Sequence, residues 1–331
     1  MRVTEGGLAG RVDRFAARHP ARVGRYSLSL LLVRGLRRTS DVRITGLAAE
    51  MTYYALISLL PLATALGAAL GFLGRFIGPD QVRDIEAAVV NGLSSVFDSQ
   101  VTGDVLAPLV EGLLREERAG VAVSSIAVAL WLAGRMFRAA IRALDDAYRV
   151  PERRGLVAQS LLGVALSLGA VLTLVALLSM VVVGPLLGGG QWLAEGLGGG
   201  PAFEVLWAVA RWPAVVMVCG LFLATLYRYG PNVDNTWRDC LPGALFGTGA
   251  LLLVAVGFQL YLDVAGPTAP EVVGADEAVA AAAQMISAVL AAVLWLWLSS
   301  IVILTGGVVN AELARMRGEA SAAGEPAART G

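Results

Sequence analysis

Six long apolar stretches constrain the fold of this chain more than any other feature of its sequence. They cover approximately residues 53–74, 121–134, 156–187, 203–227, 241–262 and 281–309. A helix needs about 20 mostly apolar residues to cross the hydrocarbon core of a bilayer. The second stretch is shorter than that, and we expect its helix to begin earlier or to be tilted. The pattern predicts six transmembrane helices.

The composition excludes the main soluble classes of protein. Hydrophobic residues make up 56% of the chain and charged residues 16%, with a mean hydropathy of +0.69. Soluble domains have about 45–50% apolar and about 25% charged residues. An ordinary cytosolic enzyme, a disordered protein and a disulfide-rich secreted domain are therefore excluded. Helices satisfy their own backbone in hydrocarbon, and no alternating barrel-strand pattern appears, so the predicted fold class is an all-α integral membrane protein.

The placement of arginine predicts the orientation, because basic residues concentrate in cytoplasmic connections. All 26 basic residues are arginine. Of these, 21 fall before the first span, after the second and fourth spans, or after the sixth. Both termini are therefore predicted to be cytoplasmic. No short apolar region with a small-residue cleavage site precedes the first span, so we expect no cleavable signal peptide.

The chain divides into three regions by composition. Residues 1–45 are predicted to form a basic cytoplasmic N-terminal region, residues 46–317 the membrane domain, and residues 318–331 a disordered cytoplasmic tail. Within the first region, residues 26–33 fit an amphipathic helix on the inner leaflet or part of a solvated basic tail. The connection after the first span is predicted to hold short amphipathic helices, because apolar residues recur there at helical spacing, at Val82, Ile85, Val89, Leu93 and Val96.

A row of arginines follows the second apolar stretch. Arg135, Arg138, Arg142 and Arg149 are three, four and seven residues apart, which places them on one helix face. Guanidinium groups bind phosphate in a bidentate manner, so Arg135, Arg138 and Arg142 are candidate ligands for an anionic headgroup. The alternative is ordinary anchoring, with long side chains extended to the interface. Glu312 could pair with Arg135 or Arg138 as an intramolecular lock.

Proline marks a break inside the first span. Pro61 removes one backbone hydrogen bond and predicts a kink, and Ser58 could bond the carbonyl that is freed. A break at this depth can line a cavity, and Tyr54 lies close to it in sequence. A kink that neighbouring helices stabilise, without a cavity, fits the sequence equally well.

Glycine and proline also punctuate the connection between the fourth and fifth spans. Gly230, Pro231 and Asn232 form a turn signal, which predicts a structural hinge. Pro242 and Gly243 then predict the start of the fifth span. Small residues allow close contact between membrane helices, and they leave open a homo-oligomer as well as packing within one bundle.

The sequence predicts no metal, cofactor or nucleic-acid partner. Cys219 and Cys240 have no partner at ligand spacing, and the single histidine, His19, lies in the basic N-terminal region. A phosphate-binding glycine loop ends in Lys, and this chain has no Lys, so we expect no ATP hydrolysis. The basic region lacks interleaved aromatic residues for stacking on bases, and ribonuclease activity is not predicted.

Four segments, taken together, resemble the YihY/BrkB family of bacterial inner-membrane proteins. They are AAEMTYYALISLLPL at 48–62, WLAGRMFRAAIRAL at 131–144, YRYGPN at 227–232 with WR and PGA shortly after, and LWLWLS at 294–299 with LTGG and NAEL shortly after. The order and spacing of the segments carry the resemblance, which extends over about residues 46–317. One departure is the Leu304–Val308 stretch, where the family usually has an acidic residue.

The resemblance implies a six-span protein of the bacterial plasma membrane with cytoplasmic termini, in agreement with the arginine placement. Members of the family have been labelled ribonucleases or named for serum resistance, and export of envelope material has been proposed for relatives. We therefore expect a transporter or lipid-handling protein, not ATP-driven by its own chain, whose partners are membrane lipids with anionic headgroups. The alternative is a scaffold of an envelope complex that transports nothing. An intramembrane enzyme ranks last, because no nucleophile–base pair is visible.

Overall fold

The computed structural model describes residues 22–23, 26–77, 119–178, 200–265 and 277–324, with isolated positions 83, 87, 90 and 180. Two short antiparallel strands come first, β1 (Arg22–Val23) and β2 (Tyr26–Ser27). The principal helices of these ranges are α1 (Leu28–Asp41), α2 (Ile44–Ile77), α3 (Ala119–Tyr148), α4 (Leu156–Leu178), α5 (Gly200–Tyr229), α6 (Trp237–Ala265) and α7 (Glu277–Gly324).

Six of these helices, α2 to α7, are long and apolar enough to cross a membrane. This confirms the predicted all-helical fold with six candidate spans. The apolar segments within the helices are Ile44–Ala65, Val123–Tyr148, Leu156–Leu177, Val209–Tyr229, Trp237–Leu262 and Ala282–Gly318. The direction in which they cross the membrane remains a prediction.

The second span was predicted to end at about Gly134, but α3 continues to Tyr148. The arginine row therefore starts well inside the helix. Hydropathy along the sequence falls at the arginines because they occupy one face, while Ala140 and Ala143 on another face are buried. The mean hydropathy of a segment does not separate two faces of one helix, whereas the helical periodicity does.

The fifth span was predicted to start at Pro242, but α6 begins at Trp237. The side chain of Asp239 accepts hydrogen bonds from the Thr236 backbone amide (3.1 Å) and hydroxyl (2.5 Å). This is a capping-box arrangement, which satisfies donors at a helix N-terminus. It starts the helix before the proline, so Pro242 lies in its interior.

The three predictions for segments outside the spans have different outcomes. Helix α1 covers residues 28–41, beyond the stretch 26–33 for which a helix was considered. The helices predicted around residues 82–96 lie outside the described ranges. Helix α7 continues past Arg317 to Gly324, so the first part of the predicted disordered tail is helical. The local sequence, which includes Glu319 and Ala320, consists largely of residues that favour helix.

The six long helices form a ring in chain order. Each of α2 to α6 packs on the next helix, and α7 closes the ring by packing on α2. Helix α7 also packs on α3, and α1 lies against α7. Consecutive antiparallel helices joined by short connections are expected to be neighbours, whereas the contact between α7 and α3 is long-range.

The core of the bundle lies at one end. On α4 to α7, the buried residues of the described ranges fall within 163–167, 223–227, 240–248 and 300–313. These segments adjoin the connections 149–155 and 230–236, and we call this side the arginine-rich end. Two clusters form the core, and their largest members are Ile44, Met51, Leu304 and Val308 in one, and Phe137, Ile141, Leu144, Leu223 and Tyr227 in the other.

Candidate functional site at the arginine-rich end

The arginine row of α3 links three helices. The guanidinium of Arg135 lies over the rings of Tyr54 on α2 and Trp131 on α3, 5.2 and 5.1 Å from their centroids. Arg138 donates a 3.2 Å hydrogen bond to the hydroxyl of Ser160 on α4. Cation–π contacts of this kind hold a guanidinium flat against a ring. The row therefore lies where α2, α3 and α4 adjoin.

Arg142, the third candidate ligand, forms an ion pair with Glu50 of α2. Its Nη2 atom lies 2.5 Å from Glu50 Oε1, and both side chains remain partly exposed, 46% for Arg142 and 37% for Glu50. The carboxylate compensates the charge of this arginine. Among the described residues, neither Arg135 nor Arg138 has a carboxylate partner. Arg135 and Arg138 thus carry positive charges that no carboxylate of the described residues compensates.

The row faces away from the space that the ring encloses. Leu144 occupies the position where a Cβ atom of Gly307 on α7 would lie, and Ala140 belongs to the cluster that α7 helps to form. At about 100° per residue, Leu144 and Ala140 lie on the other side of α3 from Arg138. The arginines therefore lie on the outer circumference of the bundle.

Helix α2 is continuous through Pro61. Ser58 is buried, and its hydroxyl donates a 2.7 Å hydrogen bond to the carbonyl of Ala55. The carbonyl that Pro61 leaves unpaired is that of Ile57, four residues earlier. The expectation that Ser58 bonds this freed carbonyl is therefore wrong. Helical spacing places Tyr54 and Pro61 on one face of α2, which is the face that meets the arginine row.

The predicted hinge is tied to the connection between α3 and α4. Arg154 donates hydrogen bonds to the carbonyls of Gly230 (2.7 Å) and Pro231 (3.0 Å). The backbone amide of Asn232 donates to Asp145 Oδ1 (2.7 Å). Gly230 is required here, because a Cβ atom would collide with the carbonyl of Leu226 four residues earlier. This junction holds the α5–α6 turn against the end of α3.

Gly243, next to Pro242, lies where the backbones of α6 and α7 approach each other closely. Asn310 Oδ1 accepts a 2.7 Å hydrogen bond from the backbone amide of Gly243, and Asn310 Nδ2 donates to the carbonyl of Cys240 (3.1 Å). A Cβ atom on Gly243 would collide with the carbonyl of Gly306. In the sequence, Asn310 belongs to the NAEL segment. Its contact with the backbone of α6 is visible only in the structure.

Tyr227 and Leu144 fill the spaces that two glycines of α7 leave open. Its hydroxyl donates a 2.6 Å hydrogen bond to the carbonyl of Ile303. The same oxygen lies where a Cβ atom of Gly306 would be placed. Gly307 leaves room for Leu144 in the same way. The two glycines thus allow α3 and α5 to pack against α7.

Glu312 is almost fully buried, with 3% of its surface exposed, and its Oε2 atom has no hydrogen-bond partner among the described residues. No ion pair joins it to Arg135 or Arg138, all of which are described residues. The expected lock is therefore wrong, because those arginines lie on the face of α3 that points away from α7. Glu312 interacts electrostatically with Arg38 of α1 instead.

Arg38 connects the N-terminal helix to the end of α3. It donates hydrogen bonds to the carbonyls of Asp146 and Ala147. Carbonyls at a helix C-terminus lack partners within the helix and carry partial negative charge, so a cation is favourable there. Burial lowers the pKa of the Arg38 guanidinium below its usual value, and the positive charge of Arg149 lowers it further.

The described residues contain no group of three or more His, Cys, Asp or Glu side chains that could hold a metal ion. Cys219 and Cys240 are free thiols.

Comparison with known proteins gives one family and one curated relative. A family model described as virulence factor BrkB matches residues 36–330. The chain is 26% identical over 266 residues to "Putative ribonuclease-like protein YfkH" of Bacillus subtilis (strain 168), a match that covers 80% of this chain and 88% of the relative. No solved structure matches the chain.

Proposed function

Because the chain belongs to the virulence factor BrkB family of membrane proteins, we propose that it is a lipid-handling protein of the bacterial envelope. In this proposal, Arg135 and Arg138 hold the headgroup of an anionic amphipathic molecule. The protein acts in the plasma membrane with both termini in the cytoplasm, without ATP hydrolysis by its own chain.

The observation that carries the proposal is the pair of uncompensated guanidinium groups on the outer face of α3. Charge-assisted hydrogen bonds to phosphate or carboxylate are about twice as strong as neutral ones. Tyr54 and Trp131 orient Arg135, and Ser160 orients Arg138. An oriented guanidinium loses less freedom when it binds an anion, which favours binding. Arg142 contributes less, because Glu50 already neutralises it.

The stronger form of the proposal is transport between the two leaflets. The face of α2 that meets the arginine row continues from Tyr54 to Pro61, and the face of α3 continues from Arg135 to Ser124. A headgroup released from the arginine row would move along these outer faces, with its acyl chains in the bilayer. This path lies on the outside of the bundle and not in a central cavity. It is consistent with the position of Arg135 and Arg138 on the outer circumference.

A scaffold without transport activity is the second candidate. It is favoured by the dense packing at the arginine-rich end, where Tyr227, Asn310 and Arg154 lock neighbouring helices together. In that case Arg135 and Arg138 would only anchor the bundle at the membrane surface, as interfacial arginines commonly do.

Liposomes that contain purified protein and fluorescent phosphatidylglycerol or phosphatidylcholine distinguish these candidates. We expect the unaltered protein to move phosphatidylglycerol faster than protein-free vesicles do. The double variant Arg135→Gln, Arg138→Gln should move phosphatidylglycerol about tenfold more slowly, since each arginine supplies a charge-assisted contact. Arg153→Gln, on the exposed α3–α4 connection, is the matched control and should retain it.

Two results would reject the proposal. One is movement of neither lipid by protein that is folded and correctly inserted, which favours the scaffold. The other is equal loss in the double variant and in Arg153→Gln, which indicates general surface charge. Cysteine labelling from each side of the vesicle, at residue 153 and at residue 324, tests the proposed orientation.

We propose further that the chain is not a ribonuclease, although the name of its Bacillus relative contains that word. RNA incubated with the purified protein should remain intact, with and without added divalent metal. RNA-degrading activity that stays with the protein through two different chromatography steps would contradict this proposal.

A further inference from the structure

A second arginine at the same end of the bundle is held between two aromatic rings. The guanidinium of Arg228, in the last turn of α5, lies 5.4 Å from the ring centroid of Tyr229 and 4.9 Å from that of Trp237, the first residue of α6. The two rings meet edge to face, with centroids 6.1 Å apart. The three side chains form one cluster across the α5–α6 turn, on helices other than those of the arginine row.

The cluster is accessible and its charge is uncompensated. Tyr229 is 47% exposed and Trp237 is 43% exposed, and Arg228 is partly exposed. No carboxylate among the described residues pairs with Arg228. A guanidinium that stacks on a ring keeps the N–H donors in its plane available for an oxyanion. The cluster is therefore oriented and positively charged, with unused donors.

An exposed apolar track leads away from the cluster along α6. Trp237, Leu241 and Leu245 are four residues apart and share one helix face. Leu241 is 50% exposed and Leu245 is 66% exposed. The track continues into the apolar segment Trp237–Leu262. A charged cluster at the head of an apolar track has the layout of a phospholipid, with a phosphate at one end and acyl chains at the other.

We propose that Arg228, Tyr229 and Trp237 form a second lipid-binding site, specific for an anionic phospholipid of the leaflet at the arginine-rich end. Arg228 binds the phosphate, the two rings contact the glycerol region, and Leu241 and Leu245 contact an acyl chain. Trp and Tyr favour this interfacial depth in membranes, and the unpaired charge selects an anionic headgroup. This site does not depend on the function of Arg135 and Arg138.

Native mass spectrometry of the detergent-purified full chain tests the site. Dioleoyl phosphatidylglycerol and dioleoyl phosphatidylcholine are titrated separately, and the bound lipids are counted. Replacement of the charged and planar group in Arg228→Gln should weaken the tightest phosphatidylglycerol binding by about tenfold. Arg228→Lys keeps the charge without the planar fork. Its affinity for phosphatidylglycerol should lie between that of the unaltered chain and that of Arg228→Gln. The double variant Arg135→Gln, Arg138→Gln should leave this binding step unchanged.

Arg238→Gln is the matched control, because Arg238 is exposed at the same end and makes no ring contact among the described residues. It should change the binding by less than about twofold, as surface charges usually do. If Arg228→Gln and Arg238→Gln weaken phosphatidylglycerol binding equally, the proposal is overturned, because the lipid is then attracted by the general positive charge of the surface. Equal binding of phosphatidylglycerol and phosphatidylcholine would also overturn it. The same holds if Arg228→Gln binds phosphatidylglycerol as tightly as the unaltered chain and unfolds at the same temperature.

Discussion

The backbone amide of Gly243 donates a 2.7 Å hydrogen bond to the side-chain carbonyl of Asn310, and this bond joins α6 to α7 beside Pro242. Pro242 has no amide hydrogen, so the backbone ladder of α6 is interrupted at this point. The same Asn310 amide also donates to Cys240. The Asn310 side chain thus bonds two backbone groups of α6, one on each side of Pro242.

Replacement of Asn310 by Ala should destabilise the bundle. It removes the two side-chain hydrogen bonds that join Asn310 to the backbone of α6, and each such bond contributes about 0.5–1.5 kcal/mol. We expect the free energy of unfolding, measured by SDS titration in mixed micelles, to fall by about 2 kcal/mol or more. Gln259→Ala, at an exposed position of α6, should have little effect. Equal effects of the two substitutions would contradict the role of Asn310.

Replacement of two glycines by alanine should have different effects on the free energy of unfolding. A Cβ atom on Gly306 would collide with the Tyr227 hydroxyl, whereas one on Gly249 meets no atom within 4 Å. Gly306→Ala should therefore cost about 1–3 kcal/mol through overpacking. Gly249→Ala should be neutral or stabilise by up to about 1 kcal/mol, because alanine favours helix. Thermal unfolding of both variants in one detergent provides the comparison, and a stable Gly306→Ala protein would show that α5 and α7 are not closely packed.

Arg149→Gly should stabilise the protein. Arg149 follows α3 with a backbone φ of 60°, a left-handed conformation that costs most residues roughly 1–2 kcal/mol and glycine little. We expect a gain of about 1 kcal/mol, seen as a higher unfolding temperature. Arg153→Gly is the control, since the described residues with positive φ other than glycine do not include Arg153. A gain in both variants would indicate relief of charge repulsion instead.

Glu50→Gln should strengthen binding of anionic lipid to the arginine row. The substitution removes the ion pair with Arg142 and leaves a third uncompensated guanidinium beside Arg138. We expect phosphatidylglycerol binding to tighten by about threefold, as one more partly screened charge contributes. The double variant Glu50→Gln, Arg142→Gln should return to the affinity of the unaltered chain. Unchanged binding in Glu50→Gln would mean that the row does not contact lipid headgroups.

Much of the fold followed from local sequence properties. Hydropathy located six spans, and the spacing of Arg135, Arg138 and Arg142 placed them on one helix face. Both properties are set within a few turns of one helix, so they can be obtained without knowledge of any neighbour. The predicted ends of two helices were wrong where polar residues or a proline lie within an otherwise apolar helix. Helix α3 extends beyond the predicted span because its arginine face lowers the mean hydropathy. Helix α6 begins before Pro242 because Thr236 and Asp239 cap it.

The pairing of the polar residues was decided by the tertiary structure alone. Arg142 and Glu50 are separated by 92 positions in the chain and Gly243 and Asn310 by 67. Which arginines keep an uncompensated charge depends on the rotation and contact of whole helices. Those quantities are set by close packing, as where Gly306 and Gly307 admit Tyr227 and Leu144. Sequence periodicity thus determines which face of a helix is charged, and the packing of the ring determines what that face meets.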